Sequence, residues 1–234
     1  MRYTQPLIGL IVSALFLTAI GLLFVYSSSV VYALTHARPS DFYIRRQLIG
    51  ALLGAAVAVF VALLPLRAVR KSAPLIFWFF VGLTVLTLTP LGVYVRGSRR
   101  WISLCGIIFQ PSEFLKVAFV VYVASIIDRV GERRAIFTDG TLKILLISGM
   151  SSALLLMQPD FGQAVTILIT ALAMMFVAGF PLRHFVYSAL PLLVSVLGLI
   201  AAKPYRVARI MTYLNPWNDP QGSGFQIIQS LIAI

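Results

Sequence analysis

The 234-residue chain is 60% hydrophobic and 11% charged, with a mean hydropathy of +0.96, whereas a soluble domain carries roughly 25% charged residues. Its 19 Lys and Arg outnumber 7 Asp and Glu to give +12, a balance that on so apolar a chain points to anionic headgroups or phosphorylated lipids rather than nucleic acid. The single cysteine, Cys105, excludes an intrachain disulfide and a thiolate metal cluster, and His36 and His184 stand alone in sequence.

Met1 and Arg2 lead into an apolar run longer than a signal-peptide core, read as a retained first span. Charge-free runs long enough to cross ~30 Å of hydrocarbon follow one another at Leu7–Tyr26, Leu48–Leu66, Ala73–Val95, Gly162–Phe180 and Phe185–Ala202. Two weaker runs lie between them. Pro111–Ile127 carries Glu113 and Lys116 in its first turns, and Leu142–Met157 is bounded by Gln158, Pro159 and Asp160. The expectation is an all-α, polytopic integral membrane bundle of about seven transmembrane helices, forming a single membrane domain over 1–234 with no soluble domain and no repeat. With the N-terminus placed in the cytoplasm, nine Lys and Arg fall on inner loops and ten on outer ones, so the charge rule does not orient the chain. Basic residues kept outside are either headgroup anchors or ligands for an anion.

Three polar stretches interrupt the runs. In the first, Arg96 to Lys116, Trp101–Phe109 is expected to lie in the interface or to re-enter it. Pro111 suits the first position of a helix, Glu113 favours its positive end, and Glu113 and Lys116, three apart, share a face and can pair. The second, Gln158-Pro-Asp-Phe-Gly162, is a tight reversal or a break in a helical hairpin. Asp160 has no basic neighbour in sequence. Beside hydrocarbon it needs a partner from elsewhere in the fold or a polar cavity, unless it simply caps the next helix. The third begins at Lys203-Pro-Tyr-Arg206. Arg206 and Arg209, three apart, suit a diphosphate, while Asn215-Pro216 and Asp219-Pro220 form turns. No Walker, dinucleotide, HExxH or Ser/His/Asp pattern is present, which leaves nucleotide hydrolysis and proteolysis unsupported.

Gly97 to Trp101 with Gln110-Pro-Ser-Glu113 and Lys116, Gln158-Pro-Asp-Phe-Gly162, and Pro204-Tyr-Arg206 through Asn215-Pro-Trp-Asn-Asp-Pro-Gln-Gly-Ser-Gly-Phe-Gln226 to Gln229-Ser-Leu-Ile-Ala-Ile234 together resemble the SEDS family of FtsW, RodA and SpoVE. The third segment is more similar to the FtsW and SpoVE branch than to RodA. The resemblance implies a bacterial cytoplasmic-membrane protein with a cytoplasmic N-terminus, polar loops on the outer face, and polymerisation of lipid II into glycan strands. It implies Arg100, Lys116, Arg206 and Arg209 as ligands or orienting groups for diphosphate, Trp101 as an apolar face for sugar or lipid, and Gln226 as a further substrate contact. Glu113 and Asp160 become cavity carboxylates, and a divalent cation, Mg or Mn, is the cofactor to test for. Implied partners are a class B penicillin-binding transpeptidase and divisome membrane proteins. Family members have about ten spans, and their catalytic aspartate follows a His-Thr pair beyond the Gln-Ser-Leu-Ile-Ala-Ile motif. The chain is therefore expected to be a fragment, inactive alone, with Asp219 not promoted to base. The rival functions are a lipid II transporter and a scaffold for the transpeptidase. A transporter would place charges near the bilayer midplane.

Overall fold

The computed structural model describes residues 4–95, 98–104, 107–189, 212, 214–222 and 224–233. It divides into two compact units, Met1–Ala68 and Val69–Ile234. The first is a helical hairpin of α1 (Thr4–Thr35) and α2 (Phe42–Leu63). Both helices are apolar, and their large side chains are largely exposed, as lipid-facing surfaces would be. The α1 end is closed by Arg38 N–H donating to Ala33 O (2.9 Å) and Ala37 N–H to Leu34 O (3.2 Å), with Ala37 at φ 52°. This pattern normally selects glycine. An ion pair between Asp41 and Arg45, and Arg38 lying 4.5 Å over the Phe42 ring, finish the turn.

The second unit is built on α3 (Leu66–Thr87, which starts at the unit boundary), strands β1 (Gly92–Val95), β2 (Ser98–Leu104) and β3 (Ile107–Phe109), and helices α4 (Pro111–Val130), α5 (Leu142–Met157) and α6 (Phe161–Val177). A 3₁₀ turn (Gly131–Ala135) and a π turn (Phe137–Thr141) join α4 to α5. A helix over 182–189, α7, opens the seventh run, whose remainder lies outside the described residues. After a 3₁₀ turn at Pro216–Asn218, α8 covers Phe225–Ile232.

The core is apolar and closely approached. Phe77, Leu115, Phe119, Val123, Ile144, Leu155, Ile167 and Met175 form one buried cluster, with Tyr122 stacked on Phe77 at 4.8 Å. Where α5 meets α6, small residues let the backbones close, and Ser152 Oγ donates across the interface to Ala164 O (3.0 Å). Gly179, at φ 74°, ends α6 through Phe180 N–H to Met175 O (3.1 Å), a left-handed position that costs glycine little.

Two expectations need correction. The apolar run Ala73–Val95 is not one helix: α3 stops at Thr87, before Pro90, and the chain re-emerges as β1. A Cβ at Gly92 would collide with the Thr87 carbonyl, so glycine permits this exit. The second is the all-α reading: Trp101–Leu104 and Ile107–Phe109 lie in β2 and β3 of an antiparallel sheet ordered β1-β2-β3, amid otherwise helical elements among the described residues. Apolar β-branched residues such as Val93, Ile102, Ile107 and Ile108 serve a strand as well as a span, which hydropathy alone does not separate. Among the described residues four helical segments, Leu7–Thr35, Phe42–Leu63, Leu66–Thr87 and Phe137–Met157, are long and apolar enough to cross a membrane, and α6 is a shorter apolar helix. Four such helices stand where about seven spans were expected; α4 carries charges at its two ends, and the seventh run beyond residue 189 lies outside the described residues.

Candidate functional site

The N-termini of α4 and α6 and the C-termini of α3 and α5 meet at one end of the second unit, where one hydrogen-bonded chain joins all four helices to the sheet. It starts in α3. Gln158, fully buried at the end of α5, donates through Nε2 to Thr84 O (3.3 Å) and to Thr87 Oγ1. Its Oε1 is buried without a hydrogen-bond partner. These contacts fix the turn that follows, Gln158-Pro159-Asp160.

Arg100 grips that turn. Its Nε donates to Gln158 O (2.8 Å), one terminal nitrogen to Pro159 O (2.7 Å), and the other to Asp160 Oδ2 (3.0 Å). The grip depends on an irregularity in the sheet. Val93 pairs with Trp101 and Tyr94 with Arg99, so Arg100 is an extra residue in β2 with no register partner. A bulge of this kind re-aims a side chain. Asp160 realises both sequence alternatives: it pairs with a distant cation, and its Oδ1 caps α6 by accepting from Gln163 N–H (3.4 Å). The pair is largely shielded, with side-chain exposures of 28% for Arg100 and 14% for Asp160.

Gln163 continues the chain, its Nε2 donating to Glu113 Oε1 (3.0 Å). Glu113 in turn pairs with Lys116 (2.8 Å), one helical turn along α4, as the spacing predicts. Pro111 is the first residue of α4, also as expected. Trp101, opposite Val93, is half-buried in the sheet, and Arg99 donates to Thr89 O (3.4 Å). Arg100, Lys116, Glu113 and Asp160 are thus brought together, and their four charges cancel.

The late loop holds itself. Asp219 Oδ1 accepts from Gly222 N–H (3.1 Å), Gly224 N–H donates to Asp219 O (3.0 Å), and within α8 Ile228 is buried while Gln226 is exposed. Arg206, Arg209 and Cys105 lie outside the described residues. For a divalent cation the fit is poor. Glu113 and Asp160 each already face a cation and an amide donor, and among the described residues no three His, Cys, Asp or Glu side chains converge. Gln163, Thr84 and Thr87 were not singled out by the sequence. Gln163 follows the Gln158–Gly162 motif directly, three residues after a candidate cap, and that spacing was the available signal.

The FTSW_RODA_SPOVE family of cell cycle proteins matches residues 8–234. This chain belongs to that family. The chain is similar to stage V sporulation protein E of Bacillus subtilis, with 38% identity over 234 residues, covering 100% of this chain and 64% of that protein. A probable peptidoglycan glycosyltransferase FtsW of Thiomicrospira cyclica is 35% identical over 97% of this chain and 58% of its own length. Among solved structures, a chain from "Structural coordination of polymerization and crosslinking by a peptidoglycan synthase complex" superposes with a TM-score of 0.68 at 30% identity, covering 92% of this chain and 64% of that one. The chain therefore spans about three fifths of the length of the FtsW- and SpoVE-type proteins that it matches. As a family member with several apolar helices it is a multi-pass membrane protein.

Proposed function

We propose that this chain forms part of a peptidoglycan glycosyltransferase that joins lipid II disaccharides into glycan strands at the outer face of the bacterial cytoplasmic membrane. The observation that carries this reading is the network of Arg100, Asp160, Glu113 and Lys116 at one end of the helices, in a chain related to a probable peptidoglycan glycosyltransferase. In the reaction, the 4-hydroxyl of one lipid-linked disaccharide attacks the anomeric carbon of the growing strand. Undecaprenyl diphosphate leaves. The developing charge on the diphosphate calls for cations, and the hydroxyl calls for a base.

The described network divides these tasks. Arg100 is committed to three acceptors and orients the turn, whereas among the described residues Lys116 is held by the half-exposed Glu113 alone. Lys116 is no more exposed than Arg100, but it has one contact to release where Arg100 has three, so Lys116 is the cation able to turn toward a diphosphate. Since the four charges cancel, further neutralisation falls to Arg206 and Arg209. Glu113 and Asp160 act as anchors for the cations, and the base is assigned to neither. Trp101 and Gln226 complete the proposed sugar and lipid contacts. Similarity to a chain of a peptidoglycan synthase complex that coordinates polymerization with crosslinking supports a penicillin-binding transpeptidase as partner.

A transporter of lipid II remains the rival, and charges at helix ends rather than mid-helix favour the enzyme. Vesicles containing the protein, expressed from its complete reading frame, and fluorescent lipid II separate the two. The enzyme yields glycan strands resolved on a gel; transbilayer movement of intact lipid II with no strands would reject it.

A further inference from the structure

At the opposite end of α4 from Lys116, a cavity of about 310 Å³ lies between α4, α5 and the turns that join them. Tyr122, Ile126, Val130 and Ile147 line it with apolar surface, and its rim carries Arg129, Arg133 and Lys143 together with Asp139. Tyr122, Ile126 and Arg129 rise along one face of α4, and Lys143 and Ile147 stand one turn apart on α5. Apolar depth and basic rim are therefore arranged along the helix axes, as they are in a bilayer from acyl chain to headgroup.

The charges at the rim are not balanced from within. Arg133 pairs with Asp139 at 3.6 Å, but among the described residues neither Arg129 nor Lys143 has a carboxylate partner. Arg129, in the last turn of α4, suits the negative end of that helix. Lys143, exposed on α5 where that helix continues from the π turn, has no such local counterpart. The outcome is a lining of three cations and one carboxylate, positive by two. A free anion would satisfy the rim but leave the apolar wall unused.

We propose that this cavity binds the phosphate of an anionic phospholipid, with Arg129 and Lys143 on the phosphate and an acyl chain against Tyr122, Ile126 and Ile147. Basic pockets between transmembrane helices hold lipid headgroups by this combination. The site is distinct from the Arg100–Asp160 end and does not depend on the reaction proposed there.

The test is native mass spectrometry of the purified full protein, delipidated and titrated with short-chain phosphatidylglycerol, with phosphatidylcholine and inorganic phosphate as separate arms. Wild type should retain phosphatidylglycerol in preference to phosphatidylcholine, and phosphate at the same concentration should not displace it. The double variant Arg129→Gln/Lys143→Gln should bind at least tenfold more weakly, and Ile147→Ser should weaken the lipid as well. Arg67→Gln, an exposed cation outside the cavity, should match wild type. Lys143→Gln alone provides a milder change if the double variant folds poorly, with an expected loss of several-fold. Equal retention by the cavity variants and by Arg67→Gln would overturn the site. Displacement by phosphate as effective as by lipid would reassign it to a free anion and overturn the lipid reading.

Discussion

The guanidinium of Arg100 meets the carboxylate of Asp160 at 3.0 Å, joining a bulged strand to the start of a helix sixty residues away. Because the same guanidinium also holds the carbonyls of Gln158 and Pro159, the contact is a three-point grip and not a simple ion pair. Removing it strands a mostly buried carboxylate, and charge-assisted hydrogen bonds are worth about 1.5–3 kcal/mol each. Arg100→Ala should lower thermal stability in detergent by at least that much. Arg100→Lys should recover less than half, since an ammonium is a point charge without the planar fork. A double-mutant cycle with Asp160→Asn should give a coupling of about 1 kcal/mol or more; additive effects would mean that the pair is incidental.

Gln158 holds the same turn from behind. Gln158→Ala removes its bonds to Thr84 and Thr87 and opens a buried cavity, at a cost of about 2–4 kcal/mol. Gln158→Met fills the volume and removes the partnerless Oε1, and should cost less than half as much. Equal losses in the unfolding temperatures of the two variants would show that packing is not what distinguishes them.

In the separate hairpin, Ala37 occupies a left-handed position at the end of α1. For a non-glycine residue this costs roughly 1–2 kcal/mol. Ala37→Gly should therefore raise the unfolding temperature, despite its greater entropy in the unfolded chain. A decrease would place the strain elsewhere.

Arg99 and Glu113 stand at one end of α4 and Gly131 and Arg183 at the other, where Arg183 donates to Ala135 O (3.0 Å). The proposed orientation requires the first end to face out. In a Cys105→Ser background, an impermeant thiol reagent on intact cells should label Arg99→Cys and spare Gly131→Cys and Arg183→Cys. Labelling of the last two alone would invert the topology.

Much of the helical frame was legible because hydropathy reports long apolar runs directly: α1, α2, α5 and α6 fall where the runs do. The starts of α4 and α6 were also legible, since Pro111 and Asp160 are local signals. The sheet was not, because Gly92–Val95 and Ile107–Phe109 are as apolar as a span and too short to show a period. Nor was the junction itself. Glu113 and Lys116 could be paired from their spacing, but Arg100 and Asp160 meet only through a bulge and a turn whose geometry is tertiary.

The central claim is that Lys116 serves the reaction while Arg100 serves the architecture. The most direct measurement is the rate of glycan-strand formation from labelled lipid II by the protein from its complete reading frame, for wild type and Lys116→Ala, with unfolding temperatures recorded alongside. Losing one charge-assisted contact to diphosphate, worth roughly 1.5–3 kcal/mol, should slow the rate about ten- to a hundredfold. Among the described residues Lys116 makes one such contact where Arg100 makes three, so the unfolding temperature should fall clearly less than in Arg100→Ala. A Lys116→Ala protein that polymerises at the wild-type rate would contradict the account, and so would one whose lost activity is matched by lost folding.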